Sequence, residues 1–139
     1  SVVENLPVVL IEQPLPASQD QQLIGLNSTI PIAADESCHT QSQLEHLSKI
    51  YDVINIKLDK CGGLTAGVAL AKEAKFYGMD IMVGCMLGTS LSMAPGLVLA
   101  TQAKFIDLDA PLLIKEDRPF GLQIKNGCIN DLDIRLWGG

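Results

Sequence analysis

Val53-Ile54-Asn55-Ile56, then the stretch from Leu64 to Tyr77, then Ile81-Met82-Val83 read as strand, helix, strand. The first run is short, apolar and rich in the β-branched residues that strands favour. The middle stretch is amphipathic, with Leu64, Val68, Ala71 and Lys75 at i, i+4, i+7 and i+11, and Gly78 beyond it is a natural helix stop. The unit repeats in both directions. Val8-Val9-Leu10-Ile11 and Ile30-Pro31-Ile32-Ala33-Ala34 precede it as strands, and Phe105-Ile106 follows. Further amphipathic segments lie at residues 17–26, 40–49 and 90–101, and Thr40 with Gln43 resembles a capping box. Strands alternating with helices imply α/β architecture around a parallel sheet. The tail from residue 119 differs: Asn126-Gly127 between Leu122-Gln123-Ile124 and Cys128-Ile129 predicts a β-hairpin.

Composition narrows the classes. At 139 residues, 47% hydrophobic and 19% charged, the chain is too apolar for disorder and long enough for one good core. Ten Lys and Arg against 16 Asp and Glu give a net charge of −6, which argues against nucleic acid as a partner. No apolar run approaches the roughly 18–20 residues of a membrane span. Ser1-Val2-Val3-Glu4 carries no initiator Met and no signal-peptide pattern, so the true N-terminus is expected elsewhere. Cys38, Cys61, Cys85 and Cys128 form no CxxC pair, which excludes the usual zinc patterns and points to buried free thiols in the cytoplasm. His39 and His46 have no partner at ligand spacing and read as surface or capping residues.

The chemistry is concentrated at strand ends. Glu12 ends the first strand, Asp35 the second, Lys57 the third, and Asp107 with Asp109 the fifth. Glu12 to Asp35 is 23 residues and Asp35 to Lys57 is 22, one βα unit each. Polar residues at the carboxyl ends of successive parallel strands converge on one mouth in a (β/α)8 barrel. In an open sheet they cluster near one switch point instead.

Each residue has two readings at this level. Glu12 and Asp35 offer hard oxygens suited to Mg²⁺, or they cap helices or pair with bases. Lys57 is a general base with a pKa lowered by its surroundings, or a salt-bridge partner of Glu12, Asp35 or Asp59. Lys60 lies past the strand end, as a surface or supporting charge. Asp107 and Asp109 suit a ligand's ammonium group, or they form a solvated acidic turn before Pro111. Gly62-Gly63 and Gly84 permit close backbone approach to a ligand.

Ile11-Glu12-Gln13-Pro14, Ala34-Asp35-Glu36-Ser37 and Asn55-Ile56-Lys57-Leu58-Asp59-Lys60-Cys61-Gly62-Gly63, in this order and spacing, resemble the enolase superfamily and its muconate-lactonizing subgroup. Gly84-Cys85-Met86-Leu87-Gly88-Thr89-Ser90 and Asp107-Leu108-Asp109-Ala110-Pro111 are similar to dipeptide epimerases of the L-Ala-D/L-Glu type. Gly88 stands where muconate lactonizers usually carry Glu, which favours epimerization.

The resemblance implies Mg²⁺ as cofactor, with Glu12 and Asp35 as two of its ligands. It also implies Lys57 as the base on one face of the substrate, and Asp107 and Asp109 as the holders of a dipeptide's α-ammonium group. Glu36 becomes a neighbour of the metal and, with Lys60, a supporting residue. The reaction implied is α-proton abstraction through an enediolate. The first metal ligand, the opposing lysine, the first three strands and the capping domain belong to a part not present before Glu12.

The chain is therefore expected to be the C-terminal part, about five βα units, of a (β/α)7β barrel. Residues 1–118 would be the partial barrel, and residues 119–139 a tail returning toward the capping domain. Its partners would be a small-molecule dipeptide and the N-terminal part of the same protein, in a homo-oligomer when full length, and the chain alone is expected to be inactive. The alternatives are an enzyme like muconate cycloisomerase or o-succinylbenzoate synthase, and a non-catalytic half-barrel serving assembly.

Overall fold

A computed structural model describes residues 6–130 and 132–137; the chain start from Ser1 to Glu4 lies outside them. Five parallel strands form one sheet: β1 (Ile11–Glu12), β2 (Ile32–Ala34), β3 (Val53–Lys57), β4 (Asp80–Gly84) and β5 (Phe105–Ile106). Their spatial order is β1-β2-β3-β4-β5, identical to their order along the chain. Glu12 pairs with Ala33, Ala33 with Val53, Asn55 with Met82, and Met82 with Phe105. No strand is skipped, as in one wall of a barrel and unlike a doubly wound sheet.

β1 runs later than the 8–11 expected. Among the described residues it pairs only with β2, through Ile11 N to Pro31 O at 3.0 Å and Gln13 N to Ala33 O at 2.9 Å, and Val9 is 70% exposed. The helices are more broken than the periodicity predicts. Residues 17–26 form a 3₁₀ segment, Ala17–Leu23. The stretch at 41–49 is a 3₁₀ turn, Gln41–Gln43, leading into α1 (Leu44–Leu47). Thr40 and Gln43 form the expected capping box, with Thr40 N donating to Gln43 Oε1 at 2.9 Å. An unexpected short helix, α2 (Leu58–Cys61), follows β3 directly. The stretch at 90–101 splits at Pro95, which has no N–H to donate, into α4 (Ser90–Met93) and α5 (Gly96–Ala100).

α3 (Leu64–Phe76) stands where expected, with Gly78 just beyond it, but its buried face is rotated. Gly67, Leu70, Ala71 and Ala74 are buried while Val68 is 41% exposed. Small residues there let the helix lie close on the sheet, and close packing outweighs burying one more valine.

The main core lies between sheet and helices. Ile54, Ile56, Ile81 and Val83 pack there against Leu44, Leu70 and Leu99. The tail joins this core through Leu122 and Leu136. Its hairpin pairs β6 (Ile124–Lys125) with β7 (Cys128–Ile129) across Asn126 and Gly127, both at positive φ as a tight two-residue turn requires. On the opposite, concave face Ala33, Val53 and Met82 form a small cluster with Leu10 and Phe105.

Candidate active site

Side chains alternate along a strand, so the register decides which ones share the concave face. Val53, Asn55 and Lys57 point there from β3, while Ile54 and Ile56 point to the helices. The same parity puts Glu12, Asp35, Gly84 and Asp107 on that face. The ladder continues past β5, with Asp107 N donating to Val83 O at 2.8 Å.

Asp35 is the centre of the charge cluster. It is buried, and Lys57 Nζ donates to its Oδ2 at 2.7 Å. Lys60, raised on α2, donates to Asp35 Oδ1 and, at 2.8 Å, to the Asp35 carbonyl. Lys60 is thus no surface charge; α2, which the sequence reading lacked, turns it back over the strand end. Burial alone would raise the Asp35 pKa, but the bonds from Lys57 and Lys60 outweigh it and hold the carboxyl below its ordinary range.

Of the two readings of Lys57, the same contact bears out the salt bridge. Burial pulls the Lys57 pKa down, yet the bond to Asp35 and the charges of Asp35, Glu12 and Glu36 outweigh burial and hold the ammonium above its ordinary value. Of the salt-bridge partners considered, Asp35 is the one engaged.

Glu12 reaches the cluster's edge, where Asn55 Nδ2 donates to its Oε1 at 2.6 Å. Glu36 makes no side-chain hydrogen bond to the cluster among the described residues, although its charge reaches Lys57. It is exposed, lines a cavity of about 570 Å³ with Asp20, Ser37 and His46, and its carbonyl bonds His39 Nε2 at 2.9 Å. Asp107 and Asp109 lie at another corner, walling a cavity of about 610 Å³ whose opposite side is the hairpin at Ile124, Asn126, Gly127 and Ile129. Glu12, Asp35 and Lys57 do not line it. Burial, and then the neighbouring Asp109 charge and hydrogen bond, hold the Asp107 carboxyl above its ordinary value. A cation between the two carboxyls would relieve that repulsion.

Two residues of this site escaped the sequence reading. Gln13 occupies the left-handed region at φ 36°. Its Oε1 accepts from Asp35 N at 2.8 Å, and its Nε2 donates to Ser37 Oγ and Tyr51 OH, each at 2.9 Å. It ties the end of β1 to the loop that carries Asp35. Asn55 is 1% exposed, an amide in the middle of an apolar strand, and that pattern was a signal available in the sequence. The cysteines are free, but only Cys38 is buried, and burial pushes its thiol up to about 11; burial likewise raises Cys61 and Cys85. Such thiols are poor nucleophiles.

Glu12 and Asp35 are hard-oxygen donors on adjacent strand ends and suit Mg²⁺ as part of its ligand set. Asn55 Oδ1 beside them is a buried acceptor with no partner, so this corner is not satisfied by the described residues alone. Among the described residues no third His, Cys, Asp or Glu completes a set of three.

Sequential parallel strands, helices on one face and polar strand ends on the other define part of a TIM-type barrel. The chain belongs to the Enolase C-terminal domain-like family, whose model matches residues 1–130. It is 54% identical to an N-acetyl-D-glutamate racemase from a Pseudoalteromonas species, over 99% of this chain and 44% of that protein. It is 46% identical to the L-Ala-D/L-Glu epimerase of Escherichia coli K12, over 91% of this chain and 39% of that protein. Among solved structures, an enolase family member from Agrobacterium tumefaciens with homology to dipeptide epimerases, bound to sodium and L-Ala-L-Glu, superposes with a TM-score of 0.94 at 47% identity, covering 99% of this chain and 42% of that one. A dipeptide epimerase from Methylococcus capsulatus, complexed with Mg and L-Arg-D-Lys, superposes with a TM-score of 0.82 at 33% identity, covering 91% of this chain and 38% of that one. The chain thus spans about two fifths of the length of these proteins.

Proposed function

We propose that the whole protein is a Mg²⁺-dependent epimerase of dipeptides of the L-Ala-D/L-Glu kind, and that this chain supplies one half of its active site. The observation that carries the reading is the grouping of Lys57, Asp35 and Glu12 on one concave face, with the Asp107 and Asp109 pair on the same side of the sheet. Glu12 and Asp35 would hold Mg²⁺ together with a ligand from outside this chain. The ion supplies stabilisation for negative charge gathering on the substrate carboxylate.

Lys57 exchanges the α-proton on one face. As an ammonium it delivers a proton to the carbanionic carbon of an enediolate; as an amine it removes one and leaves that enediolate. Epimerization needs a second acid–base group on the opposite face, and none stands there among the described residues. The chain alone is therefore inactive in this reading. Lys60 holds Asp35 from behind and keeps its carboxylate beside Lys57. Asp107 and Asp109 take the substrate's α-ammonium group, whose charge relieves their mutual repulsion.

The 54% identity to an N-acetyl-D-glutamate racemase favours a second reading, in which the substrate is N-acylated and carries no ammonium group. Asp109→Asn in the full-length protein separates the two. For a dipeptide epimerase, kcat/KM on L-Ala-L-Glu falls by about tenfold to a hundredfold, the loss of a charge-assisted contact of roughly 1.5–3 kcal/mol. Turnover of N-acetylglutamate by the wild type, unaltered in Asp109→Asn, establishes the racemase reading instead.

A further inference from the structure

We propose that Asn55 is a positioning residue for Glu12, fixing the carboxylate in the orientation a divalent cation needs, and that Gly84 is glycine in order to leave that amide room. The inference rests on the reading of Glu12 as a metal ligand.

Three strands meet in this contact. Glu12 closes β1, Asn55 lies in the middle of β3, and Gly84 ends β4, all directed to the concave face. Asn55 is 1% exposed, and its Nδ2 donates to Glu12 Oε1 at 2.6 Å. Among the described residues no other side chain donates to Glu12. Its carboxylate is otherwise exposed, on a chain with three free torsions, so this single bond decides where it points. Outer partners that orient a metal-binding carboxylate govern metal affinity in this way.

The amide is an expensive choice for stability. Its Oδ1 is buried without a donor, which a leucine at the same place would avoid. Val53 and Met82, its apolar neighbours on the same face, show that this face accepts hydrophobic side chains. A locally unfavourable residue of this kind is what a functional constraint leaves behind.

Gly84 bears the complementary mark. A Cβ there would lie 2.5 Å from Asn55 Oδ1 and 2.7 Å from Nδ2, closer than real side chains approach. Its backbone is not in the left-handed region, so space and not φ is what demands glycine.

The test is Mg²⁺ titration calorimetry on the full-length protein and on Asn55→Leu, Gly84→Ala and Glu12→Gln, with the melting temperature of each metal-free protein as a second readout. Asn55→Leu is expected to weaken Mg²⁺ binding by about tenfold to a hundredfold, while the metal-free melting temperature stays level or rises. Gly84→Ala, which keeps every polar group and only crowds the amide, is expected to weaken Mg²⁺ comparably. Glu12→Gln should weaken it at least as much.

Mg²⁺ affinity within about twofold of wild type in Asn55→Leu, alongside a clear loss in Glu12→Gln, overturns the inference. So does a lowered metal-free melting temperature with unchanged affinity, which would make Asn55 merely structural. If Asn55→Leu does not fold, Gly84→Ala decides by the same criterion. Unchanged affinity in Glu12→Gln overturns the metal-ligand reading itself, a separate and recognisable failure.

Discussion

On β3, Ile54 and Ile56 point to the helices while Asn55 and Lys57 point to the concave face, and these two sides of one strand follow different rules. The helix side is packed with aliphatic side chains; Ile54, Ile56 and Leu99 are 0% exposed. The concave side holds only a small apolar cluster, then an orphaned amide, a lysine in contact with an aspartate, and a glycine kept empty. One side is optimised for burial and the other carries polar groups that burial penalises. Stability and chemistry are thus separated by alternation along a single strand.

The largest effect expected on this comparison is chemical. Lys57→Met should lower kcat of the full-length protein by about 10²–10⁴-fold, with little change in melting temperature. Loss of fold with loss of activity would break the separation of the two faces. Next, Ile54→Ala on the neighbouring position should destabilise by about 2–5 kcal/mol in denaturant titration, with kcat per folded molecule retained. Lost kcat in the remaining folded protein would mean that the helix side also positions the site.

Gln13→Ala tests the tie between strand ends. Removing an acceptor from the Asp35 N–H, and a donor from Ser37 and Tyr51, should cost about 1–3 kcal/mol. KM should rise with it if Gln13 also holds Asp35 in place, and an unchanged KM would confine it to stability.

The smallest effect belongs to the tail. Asp117 accepts from Ser90 N at 2.8 Å and from the Ser90 hydroxyl, joining the tail to the start of α4. Burial would raise its pKa, but the bonds from Ser90 and Arg118 outweigh it and hold the carboxyl below its ordinary value. A carboxyl with a depressed folded pKa contributes stability above the unfolded value of about 3.9, and that contribution is lost as pH falls through the lower folded value. Solvent screening at this partly exposed carboxyl limits the effect, so Asp117→Asn should cost at most about 0.5 kcal/mol at pH 7, and the two proteins should converge in melting temperature as pH falls through the lowered folded value.

Much of this fold was legible because its strands are short, β-branched and evenly spaced, and because polar residues recur at their ends. Glu12, Asp35, Lys57, Asp107 and Asp109 could be placed by counting. The helices read less well. The stretch at 90–101 is split at Pro95, and the buried face of α3 depends on close packing at Gly67 and Ala74, which periodicity does not measure. The two readings of Lys57 could not be separated in the sequence because its distance to Asp35 depends on how two strands pair. Gln13 was missed because its role comes from a left-handed backbone and from partners as far away as Tyr51.

By itself the sequence determined the order of the βα units, the residue type at each strand end and the family to which the chain belongs, since these are local patterns and spacings. Only the tertiary structure decided that Lys60 folds back onto Asp35, that Asn55 meets Glu12, and that the hairpin walls the cavity at Asp107 and Asp109. Those contacts join residues up to 43 positions apart. Strand register and packing bring them together, and no local pattern encodes either.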